Sequence, residues 1–560
     1  MFDGRMLNST VPSTVYLGVV DYRPAGGAAL DQVFIATGIA AVLGAILFGL
    51  GYGHRTGKLP LLERLAVLAE RSPLTRGLPP WVALPSALSL VSLVTALLGM
   101  YWDISLHISH GRDAGPLANI AHYPILFGLF GIFGAGVLAI MLPRGEKPGP
   151  ASIRIGPNWY APTGGVLLTG SGFYALLGFP LDDMWHRIFG QDVTLWGPTH
   201  LMLLTGAGLS LVAMAILERE GALATGAAVS PVGRYVRRGM VMGGMLIGLS
   251  VYQAEFDYGV PQFREVNQPL LIAMAAGGAL VAARLWLGRG AALFAVGFYY
   301  VVRGGVSVVV AGVIGQLWSA VPLYLAEAVL VELAAAFLLT SARRRPLTFG
   351  VVSGLLIGTV GFACEYVWSG LVMPNPWNSD MVVEGVLMAV AGGLAGGVSG
   401  ALLGQGLSGR LPRRAPVLFA GSVLLLAGAL TNGLLVDVPT GVRAEVALSG
   451  ITPTGADSAT VRFIPPTVVD NPAWLTLTGW QGEGFHIDHL VAAPDGSWHT
   501  TTPLPLGGGW KVLVRLHDGR TMAGVPVFLP ADPALGAVET PALADTTRDA
   551  VREGLILQRE

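Results

Sequence analysis

The stretch VALPSALSLVSLVTALLGMYWDISLHISH (82–110) carries no charge before Asp103 and then turns polar through Asp103, His107 and His110. An apolar run of about 20 residues crosses a bilayer as a helix. Its polar end puts titratable side chains at one membrane face, where they pair or mark a functional site. Outward from it, similar runs predict twelve spans, near 31–52, 82–104, 119–142, 160–181, 198–217, 239–258, 268–287, 291–312, 319–340, 347–369, 383–404 and 415–436.

Composition agrees. Of 560 residues, 52% are hydrophobic and 12% charged, against about 25% charged in soluble domains. Mean hydropathy is +0.61. This excludes a soluble enzyme and a disordered chain. A net charge of −1 offers no basic field to nucleic acid. The one cysteine, Cys364, excludes an intrachain disulfide framework and a Cys-based zinc site, and reads as a small buried side chain. The acidic Asp3 ahead of the first run argues against a cleavable signal peptide.

Alternate loops are basic: Arg55, Lys58 and Arg64; Arg144 and Lys147; Arg234, Arg237 and Arg238; Arg284 and Arg289; Arg343, Arg344 and Arg345; Arg410, Arg413 and Arg414. By the positive-inside rule these are cytoplasmic. The expected organisation is an extracytoplasmic segment 1–30, a multi-pass domain 31–436, an extracytoplasmic β domain 437–530 and a polar tail 531–560 with a short helix at 545–558. Alternating stretches such as SATVRFI and KVLVRLHD predict an antiparallel, Ig-like sandwich.

His107, His110, His122, His186 and His200 then all fall at outer helix ends, and two hairpins repeat one pattern. Asp103, His107, Asp113 and His122 match Asp182, His186, Asp192 and His200. Two further hairpins keep weaker versions, with Glu255 and Asp257, and with Glu365, Asp380 and Glu384. The architecture expected is repeated two-helix units with polar outer ends. Asp182 and His186, four apart, share a helical face, and His200 opens the next helix. A carboxylate and two imidazoles make a three-ligand metal site, and the spacing leaves copper, zinc and iron open. Asp103, His107 and His122 form a second set or converge with the first. His110, Asp113, Asp183 and Asp192 are candidate extra ligands or supporting groups. The competing reading is a polar interfacial network, with Asp paired to Arg112 or Arg187.

The segment DDMWHRIFGQDVTLWGPTH (182–200) resembles the copper membrane monooxygenases, the particulate methane and ammonia monooxygenases. The C subunit of that family carries Asp-x-x-Trp-His, an Arg-Asp-Thr segment and Pro-x-His. Asp182, Trp185, His186, Asp192, Thr194, Pro198 and His200 match it; Gln191 stands where the family has Arg, and the last His comes one residue later. WGPTHL and the HYP at 122–124 are similar to the family's A subunit. The resemblance implies copper at Asp182, His186 and His200, and oxidation of a small apolar substrate by dioxygen at the outer face. An extracytoplasmic electron donor is then required.

The half-domain GGWKVLVRLHDGRTMAGVPVFLP is similar to small Ig-like domains beside copper-handling proteins, which makes His486, His489, His499, His517 and Met522 candidate ligands. His486 and His489 fall on opposite strand faces, so a site there needs a bend. Inside the membrane, Arg303 is expected to pair with Glu327 or Glu332. The Gly-rich run 389–404 predicts close helix packing. The leading expectation is a copper-dependent membrane oxidoreductase, with the bilayer, an electron donor or copper chaperone, and a further copy of the chain as partners. The alternatives are a copper uptake or delivery protein, and a proton-coupled transporter using Glu327, Glu332, Glu365 and Glu384.

Overall fold

The computed structural model describes residues 30–553 apart from the short segments 113–114, 146, 190–193, 226–229, 341–342, 438–439, 471 and 534–535. Asp113, Asp192 and nearly all of the segment 1–30 therefore lie outside the described residues. The chain is mainly helical up to residue 434: α1 (Leu30–Arg55), α2 (Leu61–Glu70), α3 (Pro80–His110), α4 (His122–Met141), α5 (Thr163–Phe189), α6 (Pro198–Thr225), α7 (Pro231–Ser250), α8 (Ala254–Tyr258), α9 (Asn267–Leu287), α10 (Ala291–Val313), α11 (Leu325–Leu338), α12 (Pro346–Val372), α13 (Val382–Leu407) and α14 (Ala415–Leu434). Among the described residues ten of these are long and apolar enough to cross a membrane.

Two of the twelve expected spans differ. The one read at 239–258 is α7, which starts earlier, at Pro231, takes in the basic RYVRR (234–238), and ends in a single 3₁₀ turn before the short α8. The one read at 319–340 is helical only over α11, 14 residues, or about 21 Å against a hydrocarbon core of about 30 Å. Residues 315–324 before it are non-helical: Gly315 has φ +80° and Pro322 lacks the donor a helix needs. Helix α2, which the span reading left inside a loop, buries Leu62 and Ala66.

The hairpins α3–α4 and α5–α6 pack side by side, α4 against α5. On the other side, α13 packs between α9 and α12 through its glycines. A Cβ on Gly277 would lie 2.7 Å from the Gly397 nitrogen, so only glycine lets these backbones approach.

The membrane charges pair differently from the expectation. Arg303 binds neither Glu327 nor Glu332. Its guanidinium donates to Asp257 at 2.9 Å, to Ser319 Oγ at 3.1 Å and to the Ala320 carbonyl at 3.0 Å, and lies 3.6 Å from the Tyr101 ring centroid. The non-helical run before α11 brings Ser319 and Ala320 to Arg303. Glu332 forms an ion pair with Arg284 at 2.8 Å, and Glu384 accepts from Arg264 at 2.8 Å. Glu327 is buried against Gly361, and Glu365 caps the Leu323 and Tyr324 amides at 3.0 and 2.8 Å.

Past residue 440 the strands are β1 (Arg443–Ser449), β2 (Gly455–Ala456), β3 (Ser458–Ile464), β4 (Trp474–Trp480), β5 (Phe485–His489), β6 (Val491–Ala492), β7 (Trp498–His499), β8 (Leu504–Pro505), β9 (Lys511–Asp518), β10 (Thr521–Phe528), β11 (Asp545–Asp549) and β12 (Val551–Arg552). Two five-stranded antiparallel sheets, β6-β7-β3-β1-β11 and β12-β10-β9-β4-β5, share one apolar core that includes Val446, Phe463, Leu477 and Val514. The helix expected at 545–558 is instead β11 and β12 over its described part. DTTRD alternates exposed and half-buried positions, so the edge pairing with β1 overrides its polarity.

The β domain is hydrogen-bonded to the helical domain. The Gln481 and Glu483 amides donate to the Ile108 and Ser109 carbonyls at 3.0 Å, and Arg515 donates to the Gly259 and Pro261 carbonyls at 3.2 and 2.8 Å. Arg515 also pairs with Glu553, whose other oxygen takes His517 Nε2 at 2.6 Å. Burial pushes the His517 imidazole below its usual range, the Glu553 charge only partly opposing this. Burial opposes ionisation of Glu553, but Arg515 and His517 outweigh it and hold the carboxyl below its usual value. Both folded values lie below the unfolded ones, so the unfolded chain binds more protons and stability falls with pH, first below about 6.5 and again below about 4.5. We expect the thermal midpoint, followed by the fluorescence of Trp474 whose ring lies 3.5 Å from His517, to drop between pH 7 and pH 5. His517→Gln should remove that step, and an unchanged drop in the variant would contradict the assignment.

Candidate metal centres

Four helices bring the polar residues together. Asp103 and His107 lie one turn apart near the end of α3, and His122 is the first residue of α4. Asp182 and His186 lie one turn apart near the end of α5, and His200 is in the first turn of α6. In each set one ligand atom per residue falls within 4.8 Å of the others. The two sets share no residue, so the hairpins offer two candidate sites.

All four imidazoles turn Nε2 to a carboxylate. His107 and His122 Nε2 are 3.5 and 3.2 Å from Asp103 Oδ1; His186 and His200 Nε2 are 3.7 and 3.4 Å from Asp182 Oδ1. Ligands about 2.0–2.1 Å from a tetrahedral ion are roughly 3.3 Å apart, so these spacings suit a shared ion. The other ring nitrogen supplies a second argument. His122 Nδ1 faces the Pro116 carbonyl at 3.0 Å, and His200 Nδ1 faces the Thr194 carbonyl at 2.7 Å, both six residues earlier. A carbonyl only accepts, so Nδ1 carries the hydrogen and a neutral ring then points its Nε2 lone pair at the carboxylate. Two facing acceptors require a cation between them, a metal ion or a ring proton. A metal-binding histidine ordinarily donates its remote N–H to a carbonyl in this way.

Neighbouring groups orient the carboxylates. Asn119 Nδ2 donates to Asp103 Oδ1 at 2.6 Å, and Thr199 Oγ1 donates to Asp182 Oδ1 at 2.5 Å. Glu255, known from the sequence only as a weak echo of the repeat, takes Thr194 Oγ1 at 2.7 Å and the Leu195 amide at 2.8 Å. It thereby fixes the loop whose Thr194 carbonyl holds His200.

The remaining candidates stay apart from these sets. Asp183 bonds Arg187 at 2.8 Å, and His110 is exposed at the end of α3. The β-domain histidines do not converge: among the described residues only the two sets above could hold an ion. His486 and His489 are on β5, whereas His499 is on β7 in the other sheet. His489 Nε2 faces the Pro374 carbonyl at 2.9 Å, and His499 bonds Thr460 and Ser497, both at 2.9 Å. His517 is committed to Glu553. Alternation along β5 and the separation of the two sheets keep these rings apart.

Both metal sets line one mainly apolar cavity of about 490 Å³. Trp480 and Arg515 of the β domain line the end where the sets lie, and Glu218 and Arg237 line the opposite end. No protein-family model matches this chain, and the curated proteins and solved structures compared with it include none significantly similar.

Proposed function

We propose that this chain is a copper-binding membrane oxidoreductase that oxidises an apolar substrate with dioxygen. The observation that carries the reading is the pairing of two Asp-His-His sets with one apolar cavity. Imidazole and carboxylate donors suit copper, and the locked Nδ1 of His122 and His200 fixes how the rings present Nε2. Copper held there would supply the one-electron chemistry that activates dioxygen. The chain's own groups do the rest. Asp103 and Asp182 each bring one negative charge, Asn119 and Thr199 hold these carboxylates in place, and the cavity walls gather an apolar substrate and exclude water. The resemblance of 182–200 to the copper membrane monooxygenases points to the same chemistry. With the basic loops in the cytoplasm, the centres face the extracytoplasmic side, where a separate donor supplies electrons.

The test is dioxygen uptake by the full chain in nanodiscs, supplied with Cu(I), a chemical reductant and a panel of alkanes and alkyl lipids. Uptake that needs both copper and an apolar substrate, and that falls at least 100-fold in His186→Ala, is expected. Copper that exchanges freely with no uptake on any substrate would move the protein to copper uptake or delivery.

A further inference from the structure

The cavity is long. On α6 alone it runs from His200 to Glu218, about 27 Å at 1.5 Å per residue. Between its ends the walls are chiefly apolar side chains of α3, α6 and α7, among them Leu90, Leu204, Leu211 and Val241. Gly208 opens the middle: a Cβ there would meet nothing within 4 Å.

The end away from the metal sets is cationic. Arg237 and Arg238 share a single carboxylate, Glu218, at 3.0 and 2.8 Å. Arg237 lines the cavity, is 7% exposed, and its Nε has no acceptor among the described residues. Two guanidiniums on one carboxylate leave a positive charge and a buried donor to be satisfied by an anion.

We infer that the cavity binds one long-chain fatty acid, its carboxylate at Arg237 and its terminal methyl beside the Asp-His-His sets. A chain of 16–20 carbons extends about 20–25 Å at roughly 1.25 Å per carbon, set by C–C bonds of about 1.5 Å, which matches the span once the arginine side chains reach inward. A short acid cannot meet both ends. This assignment rests on the proposed function for its chemical meaning, because it puts the chain end rather than the head at the metals. Its binding test stands without metal.

The experiment is equilibrium binding of radiolabelled hexadecanoic acid to the full chain in phosphatidylcholine nanodiscs, with and without copper. Saturable binding of one molecule per chain is expected. Octanoic acid should compete at least tenfold more weakly. Gly208→Leu, which fills the middle of the cavity, should weaken binding at least tenfold with metal content unchanged, and Ala87→Phe on α3 repeats the block should the first variant misfold. Arg237→Gln should weaken the acid and leave hexadecanol unaffected. Non-saturable uptake, or binding that both blocked variants retain, identifies ordinary boundary lipid and overturns the inference. Loss of metal with fatty-acid binding intact overturns the oxidoreductase reading alone; metal retained with no fatty-acid binding overturns this one alone.

Discussion

If both Asp-His-His sets hold an ion, replacing His122 and His200 together with alanine should take the chain from two bound metal ions to none. Each change deletes a ligand whose remote nitrogen is anchored on a carbonyl, and leaves a carboxylate with one imidazole. His107→Ala with His122→Ala should retain one ion per chain, and so should His186→Ala with His200→Ala, because the sets share no donor. Metal content by mass spectrometry after reconstitution with Cu(I) gives the count directly. Both ions disappearing in either pair of variants would mean a single bridged site. Neither variant nor wild type retaining metal would leave Asp103 and Asp182 as ring-proton partners. The second centre has a further sensitivity. Glu255→Gln weakens the hold on Thr194 and Leu195, and through them on His200, without touching a ligand. Loss of such an outer partner typically costs 10–100-fold in metal affinity, so this variant should release the second ion first.

The sites were legible because their information is local. Four-residue spacing sets a carboxylate and an imidazole on one helical face whatever else the chain does, and the recurrence of that spacing in two hairpins marked both centres. The groups that orient the rings were not legible. The Pro116 and Thr194 carbonyls are backbone atoms, and their role depends on how each loop folds back. Glu255 shows only as a carboxylate in a degenerate hairpin, with nothing in its spacing to reveal that it reaches α6. The span reading failed where hydropathy and helicity part. Residues 315–324 are apolar enough to count as membrane but, with Gly315 and Pro322, do not form a helix. The tail strands were missed because edge pairing, rather than apolar alternation, makes DTTRD a strand.

Arg303→Met alone, or Asp257→Asn alone, should be among the most damaging single substitutions in the helical domain, and the double variant should recover most of the loss. The pair is fully buried, Asp257 at 0% and Arg303 at 0% exposure. Removing either partner strands the other charge, which costs about 3–5 kcal/mol, whereas replacing both costs little. Thermal unfolding in detergent across the four proteins of this cycle measures the coupling. Additive losses would show that the two charges are held by other groups, such as Ser319, Gln253 and Tyr101. The pair also explains why both Asp-His-His sets sit at this level of the bundle. Tyr101, stacked on Arg303, is two residues before Asp103, and Asp257 is two residues after Glu255. Tyr258 ties the two segments, its hydroxyl donating to the Tyr101 carbonyl at 2.8 Å. One buried ion pair thus braces α3 behind the first set and α8 behind the second. The single variants should therefore lower metal retention at both centres, and the double variant should restore it together with stability.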